Sequence, residues 1–243
     1  MKYEDWQIIT LDKVTSTNDA VNNYCDKAGR FIALRAVEQT AGRGRRGRIW
    51  QSLKGNLFLS LAFEYDLQNL GNLVIAASLS LCQTIKNYSP SPEVKIKWPN
   101  DILLNNAKVS GMLLEKGIGN YIIIGIGVNI VHSPDSQHIL YPATSLTEAG
   151  ITTTAAEFTE NYLQQFSYYV NMIQNNKQAA WQMWTDNAKG IGSKIEVLQE
   201  NKKKQGIFSG IDENGSLLLD TADGREKVLV GDVFYIEKVN DGI

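Results

Sequence analysis

The sequence predicts an α+β protein in which helices cover one face of a mixed, largely antiparallel sheet, with a small β-barrel appended at the C-terminal end. Three observations lead there. Between residues 94 and 131, strand-like runs follow one another, punctuated by Pro99, Asn105-Asn106, Gly117 and Gly119, which favours antiparallel or mixed pairing. Two stretches repeat apolar residues at helical spacing: Leu70, Leu73, Val74, Ala77, Leu81 and Ile85, then Phe158, Tyr162, Phe166, Tyr169, Val170 and Ile173. After Lys189 the texture changes to short strand-like runs separated by the turn sequences DENG and TADG.

Taken in chain order, residues 7–14 read as a strand. Ser16, with Asp19 three positions on, then opens a capping-box-like helix that carries Ala20, Val21 and Tyr24 on one face and ends near Gly29. Residues 31–37 are β-rich, so the first unit is strand, helix, strand. Residues 41–50, AGRGRRGRIW, hold three glycines and four arginines without an acid, and predict a loop. Residues 57–65 resume strand character, and the helix that follows is broken at 89–92. Thr154 and Glu157 repeat the capping pattern before the second long helix, and a shorter helix holds Trp181 and Trp184. The last strand-like runs cover residues 194–198, 206–211, 216–219 and 228–236. The domain boundary therefore falls near residue 188, between a main domain (1–188) and a tail (189–243) too small to hold an active site alone.

At 243 residues with 43% apolar and 21% charged side chains, the chain should fold around a sizeable core. Lys plus Arg number 24 against 26 acids, so a net charge of -2 supplies no overall field for nucleic acid or anionic lipid, and any anion site is local. No apolar run approaches the ~20 residues that cross a bilayer, and the first ten residues lack a secretory core. Cys25 and Cys82 lie in apolar-patterned segments and read as buried thiols. The expected location is the cytoplasm.

Three constellations carry chemistry. In the arginine-glycine loop, Arg43, Arg45, Arg46 and Arg48 repel one another unless solvent or an anion compensates them, and Gly42, Gly44 and Gly47 let backbone N–H groups close on a ligand. An oligophosphate suits this best; RNA and a plain solvated turn are the other readings. The loop is neither a Walker sequence nor a dinucleotide fingerprint. In KWPND, residues 97–101, Pro99 stiffens the corner carrying Asn100 and Asp101, and Lys108 follows across a hairpin; an acid and an ammonium so placed suit a Mg²⁺ ligand and a phosphate partner, against the simpler reading of an Asx turn with an exposed lysine. In GIGVN, residues 125–129, missing side chains allow a flat ring to approach a strand, unless the glycines mark a bulge. Ser16, Thr17 and Asn18 could serve as a helix cap. His132 and His138 lack the companions of a zinc site.

In combination and in this order, STN at 16–18, EQTAGRGRRGRIW at 38–50, KWPND at 97–101, KVSGMLLE at 108–115 and GIGVNI at 125–130 resemble a biotin–protein ligase. The TSL at 144–146 and the tail also resemble that family, so the likeness spans nearly the whole chain. It implies a class II synthetase-like catalytic domain followed by an SH3-like barrel. It also implies a two-step reaction with ATP and Mg²⁺: biotin becomes biotinyl-5′-AMP, and a lysine of a biotin carboxyl carrier protein then takes the biotinyl group.

By that resemblance, Ser16, Thr17, Asn18 and Gln39 hold the ureido ring, and Gly111 belongs to the biotin site. Arg43, Gly44 and Arg45 fold over biotin and the adenylate phosphate. Lys108 neutralises the carboxylate and α-phosphate, and Arg48 holds pyrophosphate. Trp50 packs on adenine, Asn129 hydrogen-bonds it, and Asn100 and Gly127 complete the nucleotide site. Lys108, Arg45 and Asp101 carry catalysis, Asp101 by serving the metal or orienting the incoming lysine. Only 15 residues precede Ser16, leaving no room for a helix-turn-helix, so no operator binding is expected. The implied partner is the carrier protein, with a homodimer compatible and neither DNA nor membrane required. A lipoate–protein ligase and a non-catalytic RNA-binding protein are the alternatives. The loop is expected to be mobile until ligand orders it.

Overall fold

The computed structural model describes residues 1–25, 31–135, 141–199 and 202–236. Its larger sheet has seven strands: β1 (Trp6–Val14), β2 (Phe31–Gln39), β3 (Leu57–Glu64), β4 (Val94–Lys97), β5 (Asp101–Leu104), β6 (Ala107–Lys116) and β7 (Tyr121–Val128). They lie in the order β1-β2-β3-β7-β6-β5-β4, and only β1 and β2 run parallel. That parallel pair is the opening strand-helix-strand unit, as expected of a crossover connection; β3 follows after the long arginine-glycine loop, and the remaining strands through tight turns or a helical return.

Side chains alternate between the sheet's faces. On β3, Leu57, Leu59, Leu61 and Phe63 join the main core beneath α2 (Leu70–Tyr88), α3 (Ala155–Asn175) and α4 (Lys177–Asn187). Thr154 and Glu157 form the expected capping box at the start of α3, with Glu157 N–H donating to Thr154 Oγ1 at 3.2 Å and Thr154 N–H to Glu157 Oε2 at 3.0 Å. In the buried middle of α2, Ser78 and Ser80 return their hydroxyl hydrogens to the carbonyls of Val74 and Ala76, at 2.8 and 2.6 Å, which removes the cost of burying them.

Three local expectations change. Ser16 does stand at the N-cap, but its side chain makes no capping bond, and α1 spans only Thr17–Val21 before tightening into a 3-10 turn at Asn22–Tyr24; the predicted end near Gly29 lies outside the described residues. Helices also occupy both faces: Val21 and Cys25 pack with Ile32, Leu34, Ala62 and Ile123 in a second, smaller core opposite the first. A helix this short cannot cover the main face, and its two apolar residues reach only the strands beside it. Finally, residues 228–236 split into two strands, because Gly231 interrupts the run.

The second sheet contains β8 (Lys194–Gln199), β9 (Lys202–Ile211), β10 (Leu217–Thr221), β11 (Gly224–Val228) and β12 (Asp232–Tyr235), in the antiparallel order β11-β10-β9-β8-β12. Lys202, Lys203 and Lys204 open β9, with Lys203 2.9 Å from Glu196 across the ladder. The core is continuous between the two sheets, running on through Ile195, Val197, Phe208, Leu219 and Val233. Two contacts dock them closely. A Cβ on Gly71 would lie 2.5 Å from the Asn214 backbone, and Trp98 Nε1 donates to Gly215 O at 2.9 Å. No helix among the described residues is long and apolar enough to cross a membrane.

Candidate active site

A cavity of about 660 Å³ opens where α1, the arginine-glycine loop, the 97–101 corner, β6, β7 and β12 converge, and every site residue expected from the sequence lines it. Glycines make its floor. A Cβ at Gly127 would collide with the indole of Trp50, one at Gly125 with the amide of Asn18, and one at Gly111 would lie 3.1 Å from both Trp50 and Lys108 Nζ. Ring systems therefore approach the strands closely, as the glycine spacing suggested.

The end of the cavity beside α1 is neutral and already hydrogen-bonded. Ser16, Thr17 and Asn18 are nearly fully buried. Thr17 N–H donates to Gln39 Oε1 at 2.8 Å, and the fully buried Ser60 lies 2.8 Å from Thr17 Oγ1 and 2.6 Å from Asn18 Oδ1. Gln39 Nε2 reaches Ser52 Oγ at 3.3 Å. At the far side of the floor, Asn129 is held by its own Nδ2 donating to Thr144 O at 3.1 Å, while Leu146 N–H donates to its carbonyl at 2.9 Å. The 144–146 segment thus positions Asn129.

The loop over the cavity is bonded both to itself and to its surroundings. Trp50 N–H bonds Gly42 O at 2.9 Å and Gly44 N–H bonds Arg48 O at 2.7 Å, closing a narrow turn in which Arg46 and Gly47 take positive φ values of 55° and 71°. Its charges are neutralised by carboxylates from three other places. Arg43 grips Asp19 with two bonds of 2.6 and 2.8 Å and reaches Glu115 at 3.2 Å; Arg46 and Arg48 share Asp232 of β12, at 2.9 and 2.7 Å. The Arg43 bonds hold the Asp19 carboxyl below its usual range. Ion pairs, rather than packing of Ile49, which is 83% exposed, link the loop to its surroundings. Arg45 alone of the four has no carboxylate partner among the described residues. Its guanidinium turns inward to Asn100 Oδ1 at 3.2 Å, and burial lowers its pKa.

Below Arg45 lie the 97–101 corner and Lys108. Asp101 and Lys108 pair at 2.7 Å, bringing together the acid and ammonium singled out from the sequence. Lys97 and Asp101 are register partners on β4 and β5. Lys97 is 4% exposed, its Nζ sits 2.8 Å from the centroid of the Tyr141 ring, and burial lowers its pKa to about 7. The residues present do not fit a protein-held divalent cation: the cavity's two carboxylates, Asp101 and Asp232, are each committed to cations, and no group of three metal-ligating side chains occurs among the described residues. His138, weighed above, lies outside those residues.

Sequence reasoning missed Ser60, Lys97, Glu115, Tyr141 and Asp232. Lys97 stood inside a recognised motif, and its register opposite Asp101 in a four-residue hairpin arm was the available signal. Asp232, Tyr141 and Ser60 carried none, because their relevance depends on which strands meet.

A mixed seven-stranded sheet with a glycine-floored cavity over its interior strands β6 and β7, overhung by a basic loop and closed by a second β domain, defines a two-domain α+β ligand-binding architecture. Residues 12–129 match the biotin/lipoate A/B protein ligase family, and residues 190–235 match the biotin protein ligase C-terminal domain. The chain is 33% identical over 241 residues to a biotin–[acetyl-CoA-carboxylase] ligase of Paracoccus denitrificans, covering 93% of this chain and 99% of that one. It is 34% identical over 238 residues to the bifunctional ligase/repressor BirA of Bacillus subtilis, covering 93% of this chain and 73% of that one. The structure superposes on a biotin protein ligase from Aquifex aeolicus in complex with biotin and ATP with a TM-score of 0.81, at 29% identity over 94% of this chain and 97% of the other. The chain belongs to the biotin protein ligases of the biotin/lipoate A/B protein ligase family.

Proposed function

We propose that this protein joins biotin to ATP as biotinyl-5′-AMP and passes the biotinyl group to a lysine of a biotin carboxyl carrier protein. The observation that carries the reading is the polarity of one continuous cavity: a neutral, hydrogen-bonding end, with Ser16, Thr17 and Asn18 buried and Gln39 beside them, leads to a cationic end at Arg45, Lys97 and Lys108. A heterocyclic ring with a carboxylate tail fits that gradient, with the triphosphate meeting the cations.

In the first step a biotin carboxylate oxygen attacks the α-phosphorus and the bond to pyrophosphate breaks. Lys108 follows the charge by exchanging Asp101 for the reacting oxygens, and Arg45 supplies the guanidinium that no protein carboxylate occupies. Trp50, whose indole lies against Gly127 and Gly111, offers its other face to the adenine, and Asn129 hydrogen-bonds it. Arg48 passes from Asp232 to the leaving pyrophosphate. In the second step the carrier lysine's neutral amine attacks the acyl carbon, AMP leaves with the bond electrons, and the amine loses a proton; Asp101 orients that amine. The closed loop keeps water from the mixed anhydride.

The test is exchange of labelled pyrophosphate into ATP, run with biotin, with lipoate and with neither, followed by transfer to a purified carrier domain. Exchange that depends on biotin, together with a mass gain of one biotinyl group on the carrier, is expected. Exchange with lipoate alone, or none with either acid, overturns the proposal.

A further inference from the structure

Lys97 and Lys108 both line the cavity, yet their surroundings differ. Lys108 is paired with Asp101 at 2.7 Å, whereas among the described residues no carboxylate lies within ion-pair distance of Lys97, which is nearly fully buried. Strand register explains the difference. Val94 and Ile96 of β4 join the main core, so alternation turns Lys97 to the cavity side. There it stands opposite Asp101 across the β4–β5 ladder, while Lys108 meets that same carboxylate from β6. One carboxylate neutralises one ammonium. The other nitrogen, closed over by the Tyr141 ring, has neither bulk water nor a paired counter-charge, and therefore sheds its proton easily. Burial lowers its pKa to about 7; of the charges that face it, Asp101 and Asp232 of β12 favour the ammonium, and Lys108 and Arg48 of the loop oppose it.

We propose that Lys97 is the general base of the second step: its neutral Nζ takes the proton that the carrier lysine's nitrogen gives up as that nitrogen bonds to the acyl carbon. This deepens the proposed reading and rests on it, since there Asp101 orients the incoming amine, and an amine held at Asp101 stands beside the residue directly across the ladder. The balance closes without a further reactant. The carrier nitrogen's lone pair forms the amide bond, AMP leaves with the electrons of the acyl–oxygen bond, and the proton passes to the Lys97 lone pair and then to water. In the first step the same nitrogen is a cation, because the triphosphate beside it raises its affinity for a proton, and departure of pyrophosphate lowers that affinity again. The base is thus armed when the adenylate is ready for the carrier, with a proton affinity matched to neutral pH, where proton transfer is most effective.

Single-turnover transfer from purified biotinyl-5′-AMP to a carrier domain, followed across neutral pH, isolates this step, with pyrophosphate exchange measured alongside. Lys97→Arg keeps a cation that cannot be deprotonated, and Lys97→Met keeps the bulk without the amine. Both are expected to lose about 10²-fold in transfer, and to lose the limb near pH 7 that wild type shows. Exchange should fall by a smaller factor in Lys97→Arg than in Lys97→Met, because the first step asks only for charge. In Lys97→Ala, a tertiary amine, which cannot form a stable amide, should restore transfer in proportion to its basicity. A role through charge or packing alone predicts that Lys97→Arg transfers as wild type does; that result, or a limb near pH 7 that persists in both variants, overturns the inference while wild-type exchange leaves the proposed reading standing. Wild type without biotin-dependent exchange overturns that reading and this inference together.

Discussion

The two ends of the cavity solve opposite problems. At the ring end, Thr17, Asn18 and Ser60 are buried, and with Gln39 they are neutral and bonded to one another, all within the larger domain. At the phosphate end, Arg46, Arg48 and Lys108 are held by Asp232 and Asp101, Arg45 has only an amide, and part of the wall is lent by the second domain. A neutral ring needs its partners in place beforehand, because each unmet polar atom in a dry pocket carries a full desolvation penalty. A charged tail needs cations that can be released, and carboxylates keep those cations from repelling one another until phosphate replaces them. The comparison teaches that one end is built for selection and the other for exchange.

The largest effect should come from the exchange end. Lys108→Ala is expected to lower biotin-dependent pyrophosphate exchange by about 10²- to 10³-fold, as loss of one preorganised charge does elsewhere, while the biotin constant measured without ATP changes little; equal loss of both would erase the distinction between the ends. Next, Arg45→Gly should leave the ring end intact and release the adenylate, raising indiscriminate lysine labelling of a bystander protein by roughly tenfold. Bystander labelling at the wild-type level with normal adenylate formation would refute the retention role.

A wedge far from the chemistry asks whether the second domain serves only one end. Gly71→Val should press the added side chain against Asn214, disturb the Trp98 bond to Gly215 and raise ATP KM by roughly three- to tenfold, since small misplacements of a site are costly. The biotin constant should stay within about twofold of wild type; parallel shifts in both would show that the domains brace the whole cavity.

The smallest effect concerns stability. Buried Lys97 titrates near 7 against an ordinary value of 10.5, so between those pH values the unfolded chain binds more protons than the folded one. Stability attributable to this residue rises with pH across that window and is flat below it, where both states are protonated. Lys97→Met has no such amine, so its melting temperature should exceed that of wild type most at pH 7, with the gap narrowing by about 10 °C towards pH 10. A constant gap would mean that the Lys97 amine keeps its ordinary affinity for protons.

Much of the fold was legible because it depends on local periodicity. Continuous apolar runs in β3 and β7, helical spacing in α2 and α3, and the Thr154–Glu157 box are short-range patterns, and each appears in place. The cavity-lining residues were legible for a related reason: Thr17, Gln39, Arg45, Lys108 and Asn129 lie in compact motifs that residue type alone singles out. The short reach of α1 and its place on the opposite face were not, since they depend on how far its two apolar residues extend over neighbouring strands.

By itself, then, the amino-acid sequence determined which segments become strands and helices, and that four arginines on a glycine loop must find anions. Only the tertiary structure decided which anions. Asp19, Glu115 and Asp232 stand 24, 72 and 184 residues from the arginines they meet, and the one guanidinium they leave over becomes the candidate for substrate. The physical reason is that a Coulomb partner is chosen by distance in space, which the register of the sheet and the docking of the second domain create, whereas periodicity and turn chemistry act over a few neighbouring residues.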